Sequence, residues 1–291
     1  MPDMAPTPIT YKTMLCKVYI GQWTAQKQDK KATKEVVEAH HAEADSGTFY
    51  KTLLKSGALD CYRKNGDAAR IFLYSRTMPW KDGGFRLMPS TMFDDVSVGM
   101  QKFGDKAEEF LEEFLNEYAD AHEKAKTSLG TLFNANDYPP VDVIRGKFAY
   151  SVSYEPVPEA GNWLVDLERE QIEELSAKRA EDLANATAVA MRDLWIRLHD
   201  SVGHIHERLA DKDKTFRDSL IGNLEDLVDL LPKLNFTDDP DLNRMAAEAK
   251  LKLGSVDVKG LREDIDFRKG MANEADKLLK QMNPYMKKAF A

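Results

Sequence analysis

Apolar positions in this chain fall into two rhythms, a strand rhythm near the N-terminus and a helical rhythm beyond it. Over 11–23, Leu15, Val18 and Ile20 sit among Lys17 and Tyr19 in partial alternation, which predicts a strand with a bend at Gly21. A helix is expected over 32–44, opening on Thr33, Lys34 and Glu35. Two short helices, 49–54 and 58–64, are expected on either side of Ser56 and Gly57. The stretch 69–77 alternates less cleanly and reads either as a strand or as a helix running into Met78 and Pro79. Asp82-Gly83-Gly84, between Trp80 and Phe85, predicts the tip of a hairpin.

From Phe93 the rhythm changes. Phe93, Val96, Met100, Phe103, Ala107, Phe110 and Phe114 recur at alternating steps of three and four, and Tyr118, Ala121 and Ala125 follow after a step of four. This is a coiled-coil-like seam with one stutter. With Ser90 as N-cap and Gly130 just past its end, the helix would be about 55–60 Å long. Such a rod packs lengthwise against another helix, in the same chain or in a neighbour. A turn is expected at 134–140. The clearest strand is 147–154, where Phe148, Tyr150, Val152 and Tyr154 alternate with small residues before Pro156 and Pro158. Further helices are expected at 167–209, at 215–231 stopped by Pro232, from Asp239-Pro240 to about 253, and at 266–282 ahead of Pro284. The expected fold class is α+β: a small antiparallel β part, long coiled-coil-like helices and a C-terminal helical region. In domain terms this gives a flexible arm at 1–10, a basic β-containing part with the first long helix at 11–165, and an acidic helical part at 166–291.

Composition adds an asymmetry to this picture. Of 291 residues, 43% are hydrophobic and 31% charged, enough for one or two cores. Residues 1–88 carry 14 Lys and Arg against 9 Asp and Glu, and the remainder 27 against 40. A basic front third attracts polyanions; an acidic remainder does not. The two cysteines, Cys16 and Cys61, form no disulfide framework and fit a reducing interior, as small buried hydrophobes. No apolar run is long enough for a bilayer, and 1–10 lacks the order of a signal peptide, so a cytoplasmic protein is expected.

The common catalytic motifs are absent: no phosphate-cradling G-x-x-x-x-G-K, no H-E-x-x-H, no G-x-S-x-G and no C-x-x-C pair. His199 and His206 share a helix face two turns apart, too far for one ion, and His204 points elsewhere. Pairs such as Glu108-Glu109 and Glu173-Glu174 read as solvated helix faces. No cofactor or metal site is therefore expected, and an enzyme is the least favoured reading, left open only as an unfamiliar site that would use His199 or His206. The basic third, by contrast, mixes cations with flat rings, the pairing a single-stranded nucleic-acid surface uses. Lys17, Lys27, Lys30, Lys31, Arg76 and Arg86 are the expected phosphate contacts, and Trp23 and Trp80 the expected stacking rings. Phe103, Phe110, Phe114 and Tyr118 on the long seam are the expected interface with a second copy or another protein.

Three stretches carry a resemblance. Trp23-Thr24-Ala25 with Lys27, Asp29, Lys30 and Lys31; Met78-Pro79-Trp80 with Gly83 and Arg86-Leu87; and Phe216-Arg217-Asp218-Ser219-Leu220 running into Leu230-Leu231-Pro232 together resemble a family of uncharacterised proteins of tailed bacteriophages, prophages and mobile elements. The resemblance implies a host-cytoplasmic setting and work around phage DNA, without supplying a mechanism. The leading expectation is a non-enzymatic accessory protein for annealing, recombination or replication that binds single strands and oligomerises through its long helices. The rival is a protein-binding adaptor, anti-defence factor or self-assembling scaffold without nucleic-acid binding.

Overall fold

A computed structural model describes residues 8–81, 83–161, 167–211, 213–254 and 256–290. Most of the expected arm, 1–7, and Asp82 of the expected hairpin tip lie outside the described residues. The protein is α+β, and 68% of the described residues are helical. Its strands are β1 (Thr13–Gly21), β2 (Gln26–Gln28), β3 (Tyr50–Thr52), β4 (Met78–Pro79), β5 (Arg86–Pro89) and β6 (Ala149–Pro156). Its helices are α1 (Pro8–Lys12), α2 (Lys30–Ala39), α3 (Gly57–Ser75), α4 (Phe93–Leu129), α5 (Val141–Arg145), α6 (Arg169–Ala210), α7 (Ser219–Leu234), α8 (Pro240–Leu253), α9 (Val258–Glu263) and α10 (Ile265–Phe290). One sheet has the order β4-β5-β1-β6, and β2 with β3 forms a separate ribbon. The expected hairpin is present: Met78 stands opposite Leu87 and Pro79 opposite Arg86.

The chain divides into two compact units, one of residues 1–17, 73–96 and 153–291, the other of 18–72 and 97–152. In the second, the seam of α4 is real but faces its own chain. Ala107, Leu111, Phe114, Tyr118 and Ala121 join Trp23, Leu53, Leu59, Tyr62, Ile144 and Phe148 in one core. Trp23 lies 6.2 Å from Phe114 and 6.1 Å from Tyr118 between ring centroids. Phe114 is 0% and Tyr118 7% exposed, and Phe103 and Phe110 are half-buried. For Phe114 and Tyr118 the expectation of a partner is thereby corrected, whereas Phe103 and Phe110 keep part of their surface open: a seam with this rhythm also serves a core, and here α3 and the flanking loops fill it.

In the first unit α6 packs along α10 and against α7 and α8. Leu194, Leu198, Val202 and Ile205 of α6, and Ala275, Leu278 and Met282 of α10, are completely buried. His206 faces the Ala272 carbonyl at 3.0 Å, so this histidine holds two helices together. Asp239 caps α8 through the amides of Asp241 and Leu242, as its place before Pro240 predicts.

Several boundaries differ from expectation. Residues 50–52 form a strand, not part of a helix, because Tyr50 and Thr52 are exposed while Lys51 points inward. Residues 57–75 are one helix, with the Ser56 hydroxyl accepting from the Leu59 amide at its start. Gly66 does not break it; the Ile20 side chain packs against that point. Pro232 and Pro284 lie inside α7 and α10. Each interrupts at most part of a last turn or two, where tertiary packing outweighs the lost backbone bond.

Candidate nucleic-acid interface

The expected contact residues separate into two groups. Lys17, Arg76, Trp80 and Arg86 belong to the first unit, and Trp23, Lys27, Lys30 and Lys31 to the second.

Those in the first unit are engaged in structure. Lys17 donates to the Gly83 carbonyl at 2.8 Å and stands 5.3 Å from the Phe85 ring centre, latching the hairpin turn. Arg76 pairs with Asp95 at 2.8 Å. Arg86 donates to the hydroxyl of Thr77 at 2.8 Å and to its carbonyl at 3.1 Å, and lies 4.4 Å over the Tyr74 ring. Burial, and then the charge of Arg197, pull the Arg86 pKa down. Arg197 donates to the same Thr77 carbonyl at 2.6 Å and pairs with Asp193 at 2.7 Å, and burial pushes the Asp193 carboxyl up. Arg86 is thus a half-buried strut, not a phosphate contact. Trp80 is half-buried. Trp23, at 7% exposure, is a core ring, and its expected role as a stacking surface is corrected.

The second unit keeps these three lysines in solvent. Lys27, Lys30 and Lys31 are all exposed. Lys27 and Lys30 form no ion pair among the described residues, and Lys31 has only an exposed contact with Glu35 at 3.9 Å. Their setting is built locally. Asp29 Oδ1 accepts from the amides of Lys31 and Ala32 at 3.1 and 3.0 Å and caps α2. The Thr33 hydroxyl donates to the Asp29 carbonyl and accepts from the Phe49 amide, at 2.7 and 3.0 Å, tying β3 to α2. β2 and β3 pair antiparallel with Gln28 opposite Tyr50 and Gln26 opposite Thr52, so these four share one face. The other face carries Lys27, exposed, opposite Lys51, which is buried, 3.1 Å from Asp29 Oδ2, 2.8 Å from Asp137 and 2.7 Å from the Leu132 carbonyl.

The Tyr50 face of the ribbon, the residue just before β3 and α2 expose apolar groups that sequence reasoning missed. Tyr50 is 58% and Phe49 36% exposed, with Val36 at 48%. The signal was available: Tyr50-Lys51-Thr52 alternates with period two. Phe49, Leu53 and Leu54 at helical spacing obscured it.

Among the described residues no cluster of His, Cys, Asp and Glu suits a metal ion, and no helix is long and apolar enough to cross a membrane. Burial pushes the Cys16 thiol up to about 12, which keeps it protonated and unreactive. Comparison with known proteins returns no matching family, no matching curated protein and no matching solved structure.

Proposed function

We propose that the protein binds single-stranded nucleic acid through α2 and the β2–β3 ribbon. One observation carries this reading: three lysines free of tight carboxylate partners lie on the same small element group as two solvent-exposed rings. In this reading Lys27, Lys30 and Lys31 offset phosphate charge, and Tyr50, in place of Trp23, offers a base its face. Gln26 and Gln28, on the Tyr50 face of the ribbon, supply hydrogen-bonding amides. The charges of α2 lend support. Lys30, Lys31 and Lys34 crowd its N-terminal turns and Glu35 and Glu38 follow, the reverse of what its dipole favours. A phosphate beside the lysines relieves that conflict. The resemblance to proteins of phages and mobile elements fits a nucleic-acid ligand in a host cytoplasm.

The test is fluorescence anisotropy with a labelled single-stranded oligonucleotide across a salt series. Replacing Lys27, Lys30 and Lys31 by Ala together should lower the slope of log affinity against log salt by about 2. Tyr50→Ala should cost roughly 1–3 kcal/mol of binding, and Arg76→Ala should change little. Absence of binding at low salt removes the reading. The rival, a protein-binding adaptor or scaffold, draws on the same exposed Val36, Phe49 and Tyr50. It predicts no oligonucleotide affinity and a protein complex that withstands nuclease.

A further inference from the structure

The acidic C-terminal part contains a cleft whose lining is cationic. The last turns of α6, the connection after it and the start of α7 enclose an open volume of about 450 Å³, within the range of small-ligand sites. His204, Arg208, Thr215, Arg217, Ser219 and Asn223 supply its polar lining, and among the described residues no carboxylate lines it. Two acids nearby in sequence have partners of their own, although Glu207 also feels the charges of Arg208 and His204. Asp218 pairs with Arg262 and makes no capping bond to α7, and Glu207 pairs with Lys214 at 2.5 Å.

Arg208 and Arg217 form no ion pair among the described residues. A cation in the last turn of a helix often serves the terminal carbonyls, but here Arg268 already does so. Its guanidinium donates to the carbonyls of Arg208, Leu209, Asp211 and Lys214 at 2.7, 3.1, 2.5 and 2.7 Å. The Phe216 ring lies beneath Arg268 at 5.2 Å and Arg262 at 5.5 Å. The backbone around the cleft is therefore fixed by residues other than the two arginines that line it.

Two guanidiniums, an imidazole, two hydroxyls and an amide around one concavity form a donor set matched to an oxyanion with several acceptor oxygens. We propose that this cleft binds a phosphate group, with Arg208 and Arg217 as its charged contacts. This does not depend on the function proposed above, since Lys27, Lys30 and Lys31 belong to the other unit. The phosphate belongs either to a small phosphate ester or to a nucleic-acid backbone, and the experiment separates them.

Calorimetry on the full chain at low ionic strength, with inorganic phosphate and pyrophosphate as probes, should detect binding. Arg208→Gln and Arg217→Gln should each weaken pyrophosphate about tenfold or more. Arg169→Gln, at an exposed arginine paired with Glu173, should leave it unchanged. Amide shifts in the unmodified protein on adding phosphate should centre on Thr215, Ser219 and Asn223, which keeps the test decisive if a variant folds poorly. In a second arm, loss of oligonucleotide affinity in the double variant assigns the phosphate to a nucleic-acid backbone. Retained oligonucleotide affinity with pyrophosphate binding lost assigns it to a small ester. The proposal is overturned if neither probe binds at millimolar concentration, if both variants bind as the unmodified chain does, or if the shifts lie elsewhere.

Discussion

Lys51 shows how one residue can organise a functional surface without taking part in it. Burial alone would pull its pKa down, but hydrogen bonds to Asp137 and Asp29 outweigh that and leave it raised. Asp29 in turn is held below the usual carboxylate range, by the Ala32 amide first and then by Lys51. The lysine is 5% exposed, so Lys51→Met removes the charge that offsets two carboxylates in a dry setting. The expected outcome is a clear loss of stability, measured by urea unfolding. The pH dependence follows from the directions. A lowered carboxyl contributes stability that is complete above its ordinary pKa and is lost as pH falls through the lowered value. A raised lysine contributes below its ordinary value and loses that contribution as pH rises through the raised one. The interaction therefore spans the neutral range. The stability difference between the unmodified protein and Asp29→Asn should narrow as pH falls below the ordinary carboxylate pKa and on through the lowered one. A gap of constant size would show that neither the cap amides nor Lys51 hold the Asp29 carboxyl below its ordinary pKa.

At the scale of elements, α4 illustrates a conflict between local preference and packing. Gly99 sits in a helix, where Ala is favoured by up to about 1 kcal/mol. A methyl group there would stand 2.2 Å from Cζ of Phe72, and Phe72 is itself 5.6 Å from Phe103 between ring centres. Gly99→Ala should therefore destabilise, by roughly 1–2 kcal/mol net of the helix gain. Phe72→Leu in the same chain should recover part of that loss; additive losses would mean the ring is not the obstacle. The seam of α4 was legible in the sequence because 3.6-residue periodicity survives whatever covers it. Its partner was not, since Leu111, Phe114 and Tyr118 look the same facing Tyr62 and Phe148 as facing a second copy. The β2–β3 ribbon was illegible for a different reason. Three-residue strands carry too few positions for period two to stand out against neighbouring leucines.

For the whole molecule, the consequence concerns assembly. Phe114 and Tyr118 are occupied by contacts within their own unit, so Phe114→Ala should cost about 3–5 kcal/mol of stability while the light-scattering mass of the folded protein stays the same. A change of mass with stability retained would restore the seam as an interface. The charge asymmetry along the chain also takes on a finer grain. The basic third contributes internal struts, such as Arg86 and Lys51, as well as the exposed lysines of α2. The acidic remainder contains the arginine-lined cleft. Net charge over a hundred residues describes the far field of the molecule and not the sign of any one concavity.

Periodicity was enough to place the long helices and with them the α+β class, turn residues the hairpin, and Asp239 the start of α8, whereas Ser90, the expected cap of α4, lies in a 3-10 turn ahead of it; these features depend on contacts within a few residues. Burial and pairing depend on residues far apart in the chain. Only the tertiary structure could decide that Trp23 is core and Tyr50 is surface, that Arg86 is bound to Thr77, and that Arg208 and Arg217 share a cleft. A side chain's chemistry is written at its own position, but its availability is set by neighbours that arrive from elsewhere.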